Sequence, residues 1–62
     1  MKIKAKNLRE GMVVLLSGHE RFLDEVSYSR DGMIELEYGD YTATDFVDPD
    51  EFIELARTNY LG

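Results

Sequence analysis

The chain has 62 residues, 44% hydrophobic and 32% charged, with thirteen Asp and Glu against seven Lys and Arg and a formal net charge of −6. That is the length of one domain and the composition of a folded chain rather than a disordered one. It holds no cysteine, which excludes disulfides and thiolate metal sites, so an apolar core must carry a domain that buries only about 60% of its unfolded surface.

The charge is unevenly spread. Residues 1–21 carry Lys2, Lys4, Lys6, Arg9 and Arg21 against Glu10 and Glu20, a net of +3, and residues 22–62 carry eleven acids against Arg30 and Arg57, a net of −9. A negative field of this size opposes loose binding to nucleic acid, which depends on neutralising phosphates, and favours a basic partner or simple solubility. The basic start, residues 1–6, runs into no apolar stretch of signal-peptide kind. The longest purely apolar run, residues 12–16, is too short to span a bilayer. The expectation is a soluble, cytoplasmic protein without a membrane anchor.

Along the chain, residues 7–11 read as a lead-in turn, with Leu8 folding back to plug one end of the core and Gly11 allowing a sharp bend. Residues 12–16 are nearly all apolar, as expected of a strand covered on both sides. Residues 17–20 turn the chain into a second strand, 22–28, where Phe22, Val26 and Tyr28 share a face and Asp24 breaks the alternation, predicting a bulge near Asp24 and Glu25. Asp31-Gly32 marks a hairpin into residues 33–38. There Ile34, Leu36 and Tyr38 alternate with Glu35 and Glu37, the clearest strand pattern in the chain. Gly39-Asp40 marks a further turn, and residues 41–47, rich in Tyr, Thr, Phe and Val, suit another strand. The expected core joins Val14, Leu16, Val26, Ile34, Leu36 and Phe46, with Phe22 and Phe52 also inside.

The C-terminal part has two readings. Asp48-Pro49-Asp50-Glu51 can start a short helix over residues 49–57, with Asp48 as cap and Pro49 in the first turn. Alternatively it makes a single 3-10 turn, and residues 52–55 form a last strand. The tail, 57–62, is expected to fray.

No constellation of residues carries a recognisable chemistry. His19 is the single histidine, which cannot make a metal site by itself. Ser17, Ser27 and Ser29 have no His–Asp arrangement to activate them. The acids Asp45, Asp48, Asp50 and Glu51 lack the glycine of a calcium loop, and Pro49 interrupts them. The chain is expected to be neither an enzyme nor a cofactor carrier.

The order of turn, strand, hairpin, hairpin, strand, 3-10 turn and strand resembles a mainly β, SH3-like five-stranded small barrel. The stretch "KNLREGMVVLLSGHERFLDEV", about a third of the chain, is similar to the opening of the KOW-like N-terminal domain of translation elongation factor P and its relatives. Leu8, Gly11, Val14, Gly18 and Val26 carry that hydrophobic-and-glycine rhythm. The family places a modifiable lysine in a basic loop where this chain has Tyr28, Ser29, Arg30, Asp31 and Gly32, and its two further barrels find no counterpart in 62 residues. The resemblance therefore implies a fold and transfers no functional residue.

Two functions follow. One is a small acidic protein-binding module or regulator, of the kind found in phage and mobile elements, that presents a tyrosine-bearing face to a basic protein surface or peptide and mimics nucleic acid in one version. Its face would centre on Tyr38 and Tyr41 with Asp40, Glu35 and Glu37 around them and Tyr28 nearby, because tyrosines give rigid contact area and acids speed encounter with a basic surface. The alternative is a nucleic-acid- or ribosome-associated barrel using Lys2, Lys4, Lys6 and Arg9.

Overall fold

The computed structural model describes residues 1–56, so the expected fraying at 57–62 and the position of Tyr60 lie outside the described residues. Among the described residues six strands form: β1 (Lys2–Lys4), β2 (Val13–Leu16), β3 (His19–Tyr28), β4 (Ile34–Tyr38), β5 (Ala43–Val47) and β6 (Phe52–Glu54), with a 3-10 turn at Ala5–Asn7. β2, β3, β4 and β5 make an antiparallel four-stranded meander, and β1 pairs with β6 in a second sheet. Residues 1–56 are thus mainly β, with six strands in two sheets that, among the described residues, do not close into a continuous five-stranded barrel. The sheets meet where Val14 bridges Leu55 and the Ala56 amide donates to the Val13 carbonyl at 3.0 Å.

The turns follow from their residues. Leu16 pairs with His19, so Ser17 and Gly18 alone connect β2 and β3; both have positive φ, 53° and 81°, the backbone a two-residue hairpin needs. The next hairpin closes through Gly32, at φ 79°, as the Asp-Gly signal predicts. Asp48 to Glu51 closes with a single bond from the Glu51 amide to the Asp48 carbonyl, and Asp48 Oδ1 also accepts from the Asp50 amide at 2.9 Å. This segment makes one turn, and residues 52–54 extend as a strand, so the helical alternative does not occur.

The core is small: Ala5, Leu8, Val14, Leu23, Ile34, Leu36, Val47, Ile53 and Leu55 are buried, with Leu16 and Val26 packed partly against them. Leu8 is fully enclosed, as expected of a plug. The phenylalanines, expected inside, are outside: Phe22 is 58% exposed, Phe46 57% and Phe52 59%. Parity explains each case, because shifting a strand by one residue moves its side chains to the other face. On β5, Val47 lies opposite Ile34 and takes the core, which leaves Phe46 opposite Glu35 on the outer face. On β6, Ile53 meets Ile3, and Phe52 stands opposite Lys4. On β3 the expected bulge is present. Leu23 pairs with Tyr38 and Glu25 with Glu37, so Asp24 is the extra residue. That insertion reverses the alternation, so Leu23 and Val26 both reach the core while Phe22 turns outward beside Val13.

Candidate protein-binding face

The tyrosines and acids singled out in the sequence divide between three places. Tyr38 shares the inner face of β4 with Ile34 and Leu36 at the rim of the core, not the face of Glu35 and Glu37. Its hydroxyl donates to Asp45 Oδ2 at 3.0 Å, and the Arg21 guanidinium lies 5.3 Å from its ring centre. The hydrogen bond to Asp45 raises its pKa above the usual tyrosine value, helped by burial and the Asp45 charge and opposed by Arg21. Tyr28 stands at the far end of β3, paired with Ile34, on a cleft of about 490 Å³ that it shares with Lys6, Arg9 and Ser27. Four residues of β4 separate that end from Tyr38, about 13 Å of strand.

Tyr41 is the tyrosine that joins the acids. It sits in the β4–β5 connection, where Gly39, Asp40 and Tyr41 have φ of 66°, 56° and 66°. Left-handed backbone costs a non-glycine residue roughly 1–2 kcal/mol, so two such residues in a row must be held from outside. Thr42 supplies part of the hold, its amide and hydroxyl both donating to the Gly39 carbonyl. A side chain at Gly39 would come within 2.9 Å of Thr42 Oγ1, which accounts for the glycine. The bulge supplies the rest: the Tyr41 amide donates to Asp24 Oδ2 at 3.1 Å, and its hydroxyl donates to the Asp24 carbonyl at 3.4 Å. The side chain stays 60% exposed. Loss of hydration raises the Tyr41 pKa, and the charges of Asp24, Glu25, Glu10 and Glu37 raise it further.

Beside Tyr41 the outer face of the meander is acidic by register. Glu25 lies opposite Glu37, Ser27 opposite Glu35, Glu37 opposite Thr44 and Glu35 opposite Phe46. Like charges directly opposite destabilise a sheet, and Glu25 and Glu37 make no ion pair among the described residues. Glu37 thus shares the surroundings of Tyr41 with Asp24, Glu25 and Glu10, while Glu35 lies two residues back along β4, opposite Phe46. The bulge at Asp24 and Glu25 is visible in the sequence, but its neighbours across the sheet are not.

The basic segment is largely turned to its own chain. Lys4 Nζ and Lys6 Nζ lie 3.7 and 3.6 Å from Asp50 Oδ1, and Lys4 also stands 6.0 Å from the Phe52 ring centre. The Arg9 guanidinium donates to the Leu8 carbonyl at 2.8 Å and the Lys6 carbonyl at 3.3 Å. Among the described residues no three acidic, histidine or cysteine side chains gather in a group able to hold a metal ion, and no helix is long and apolar enough to cross a membrane. Comparison with protein-family models, curated proteins and solved structures gives no match to this chain.

Proposed function

We propose that this chain is a small acidic binding module of the SH3-like barrel class, offering Tyr41 and the carboxylates of Glu25, Glu35, Glu37 and Asp40 to a basic protein surface or peptide. Support for the barrel class comes from the four-strand meander, the turn after β5 and the return of β6 to the side of β2 at Val14 and Leu55. Support for the face comes from one observation above all: an exposed tyrosine kept at positive φ by the bulge opposite, among the charges of Asp24, Glu25, Glu10 and Glu37. Strained backbone at an exposed aromatic is a pointer toward function. Tyrosine in a fixed turn loses little entropy on contact, and the acids accelerate encounter with a positive surface. The reading with Lys2, Lys4, Lys6 and Arg9 on nucleic acid is weaker, since three of those four already have partners in their own chain.

The test is capture of partners from source-cell lysate followed by binding kinetics. Tyr41→Ala should raise the dissociation rate at least tenfold with little change in association. Glu25→Lys with Glu37→Lys should lower the association rate and flatten its salt dependence. If both folded variants bind as the parent does, this face is not the site.

A further inference from the structure

β5 ends the four-stranded sheet, and among the described residues no strand lies on its other side. Its backbone hydrogen bonds within residues 1–56 all go to β4. A strand with one unpaired edge is a template for another extended chain, because its outward N–H and C=O groups repeat at the spacing a new strand would match. The outer-face side chains of this edge are Thr44 and Phe46, both exposed, and behind them on β4 stand Glu37 and Glu35.

We infer that the β5 edge is completed by an extended basic segment of the partner, with Arg or Lys at alternate positions. The inference rests on the acidic-face reading above and gives that reading its binding mode. Strands lie about 4.8 Å apart, so a residue of the added strand sits about 10 Å from the β4 backbone, a gap that an arginine and a glutamate side chain span together. A basic residue beside Phe46 lies over its ring and reaches Glu35, combining a cation–π contact with an ion pair. The next residue on that face, two positions on, meets Thr44 and Glu37. The residues between them face Ala43, Asp45 and Val47 at the rim of the core. The added strand therefore reads basic–x–basic, and its end approaches the Tyr41 turn. A second copy of this chain fits poorly, because antiparallel pairing centred on Asp45 sets two aspartates opposite each other between molecules that each carry −6.

The probe is a heptapeptide alternating arginine and valine, compared with a peptide of the same composition in which the arginines form one block. Both are titrated into the isotope-labelled full chain at low salt. The alternating peptide should bind at least tenfold more tightly, and the amides of residues 43–47 should gain protection from hydrogen exchange. Phe46→Ala and Glu35→Gln should each weaken it severalfold. Thr44→Pro and Asp45→Pro form a matched pair, since N–H groups along an antiparallel strand alternate between the neighbour and the open edge. The proline that leaves the fold intact should abolish the preference for the alternating peptide. Equal binding of both peptides, with shifts at Tyr41 and Glu37 and no protection of β5, overturns the edge mode and leaves the acidic face standing. No binding of either peptide at millimolar concentration overturns both readings. A concentration-dependent dimer in ultracentrifugation with β5 protected puts a second copy on the edge and overturns the inference.

Discussion

Asp24 holds Tyr41 at two points, accepting from its backbone amide through a carboxylate oxygen at 3.1 Å and from its phenol through the main-chain carbonyl at 3.4 Å. The extra residue in β3 and the left-handed turn between β4 and β5 are thus one unit, although 17 positions separate them.

That relationship has a spectroscopic consequence. The Tyr41 phenol is raised by lost hydration first and by the Asp24 charge second. Asp24→Asn keeps an acceptor and removes the charge, so Tyr41 should titrate at lower pH than in the parent, while Tyr38, whose shift comes mainly from Asp45, should be unmoved. Ultraviolet difference titration in Tyr38→Phe and Tyr41→Phe backgrounds separates the two. An unchanged Tyr41 titration in Asp24→Asn would show that the carboxylate does not sit against the turn.

Leucine and phenylalanine should behave in the opposite order from their sizes. Leu36 is fully buried at the centre of the meander, and its replacement by Ala should cost about 2–5 kcal/mol. A domain of this length has a stability of about 3–9 kcal/mol, so the variant should lie at or near unfolding. Phe46→Ala removes a larger side chain from the outer face and should stay within about 0.5 kcal/mol of the parent. Urea denaturation followed by circular dichroism measures both, and a Phe46 variant as unstable as the Leu36 variant would place the ring in the core.

The contrast marks how far the sequence is legible. Glycine-centred turns at Gly18, Gly32 and Gly39, the bulge at Asp24, the plug at Leu8 and the alternation of residues 33–38 are local features, and each occurs where the local residues predict it. β1 escapes notice because Lys2, Ile3 and Lys4 are too few to show a period, and their pairing partner lies near the other end of the chain. The exposed phenylalanines escape for another reason: a bulge or a four-residue turn changes which residues face inward, and hydrophobicity alone does not count the inserted residue. The candidate face is half legible. Tyr41, Asp40, Glu35 and Glu37 stand out as types, but Glu25 and Phe46 become their neighbours only through register, and Tyr38 leaves the group because its alternation puts it inside.

Acid should loosen the pairing of β1 with β6. The Glu54 carboxyl lies 2.8 Å from the N-terminal ammonium, and its pKa is lowered by that hydrogen bond, opposed by lost hydration and helped by the ammonium and Lys2 charges. A carboxyl whose folded pKa is depressed favours folding above its unfolded value, here 4.5, and loses that contribution as pH falls through the folded pKa. Stability should therefore decline below about pH 4.5 more steeply in the parent than in Glu54→Gln. Amino-terminal acetylation should remove the same difference. Equal acid slopes for parent and Glu54→Gln would show that the contact contributes nothing in solution.

The two sheets also differ in how much chain must close to make them. β2 to β5 are joined by three short hairpins, whereas β1 and β6 bring Lys2 against Glu54, nearly the whole described length apart. Loop closure over that span opposes early pairing, so the meander should form first and the β1–β6 pair should dock onto it late. The same pair, three residues on each strand, is then the first to open in the native state, and amide exchange should be fastest there while the centre of β4 exchanges only with global unfolding.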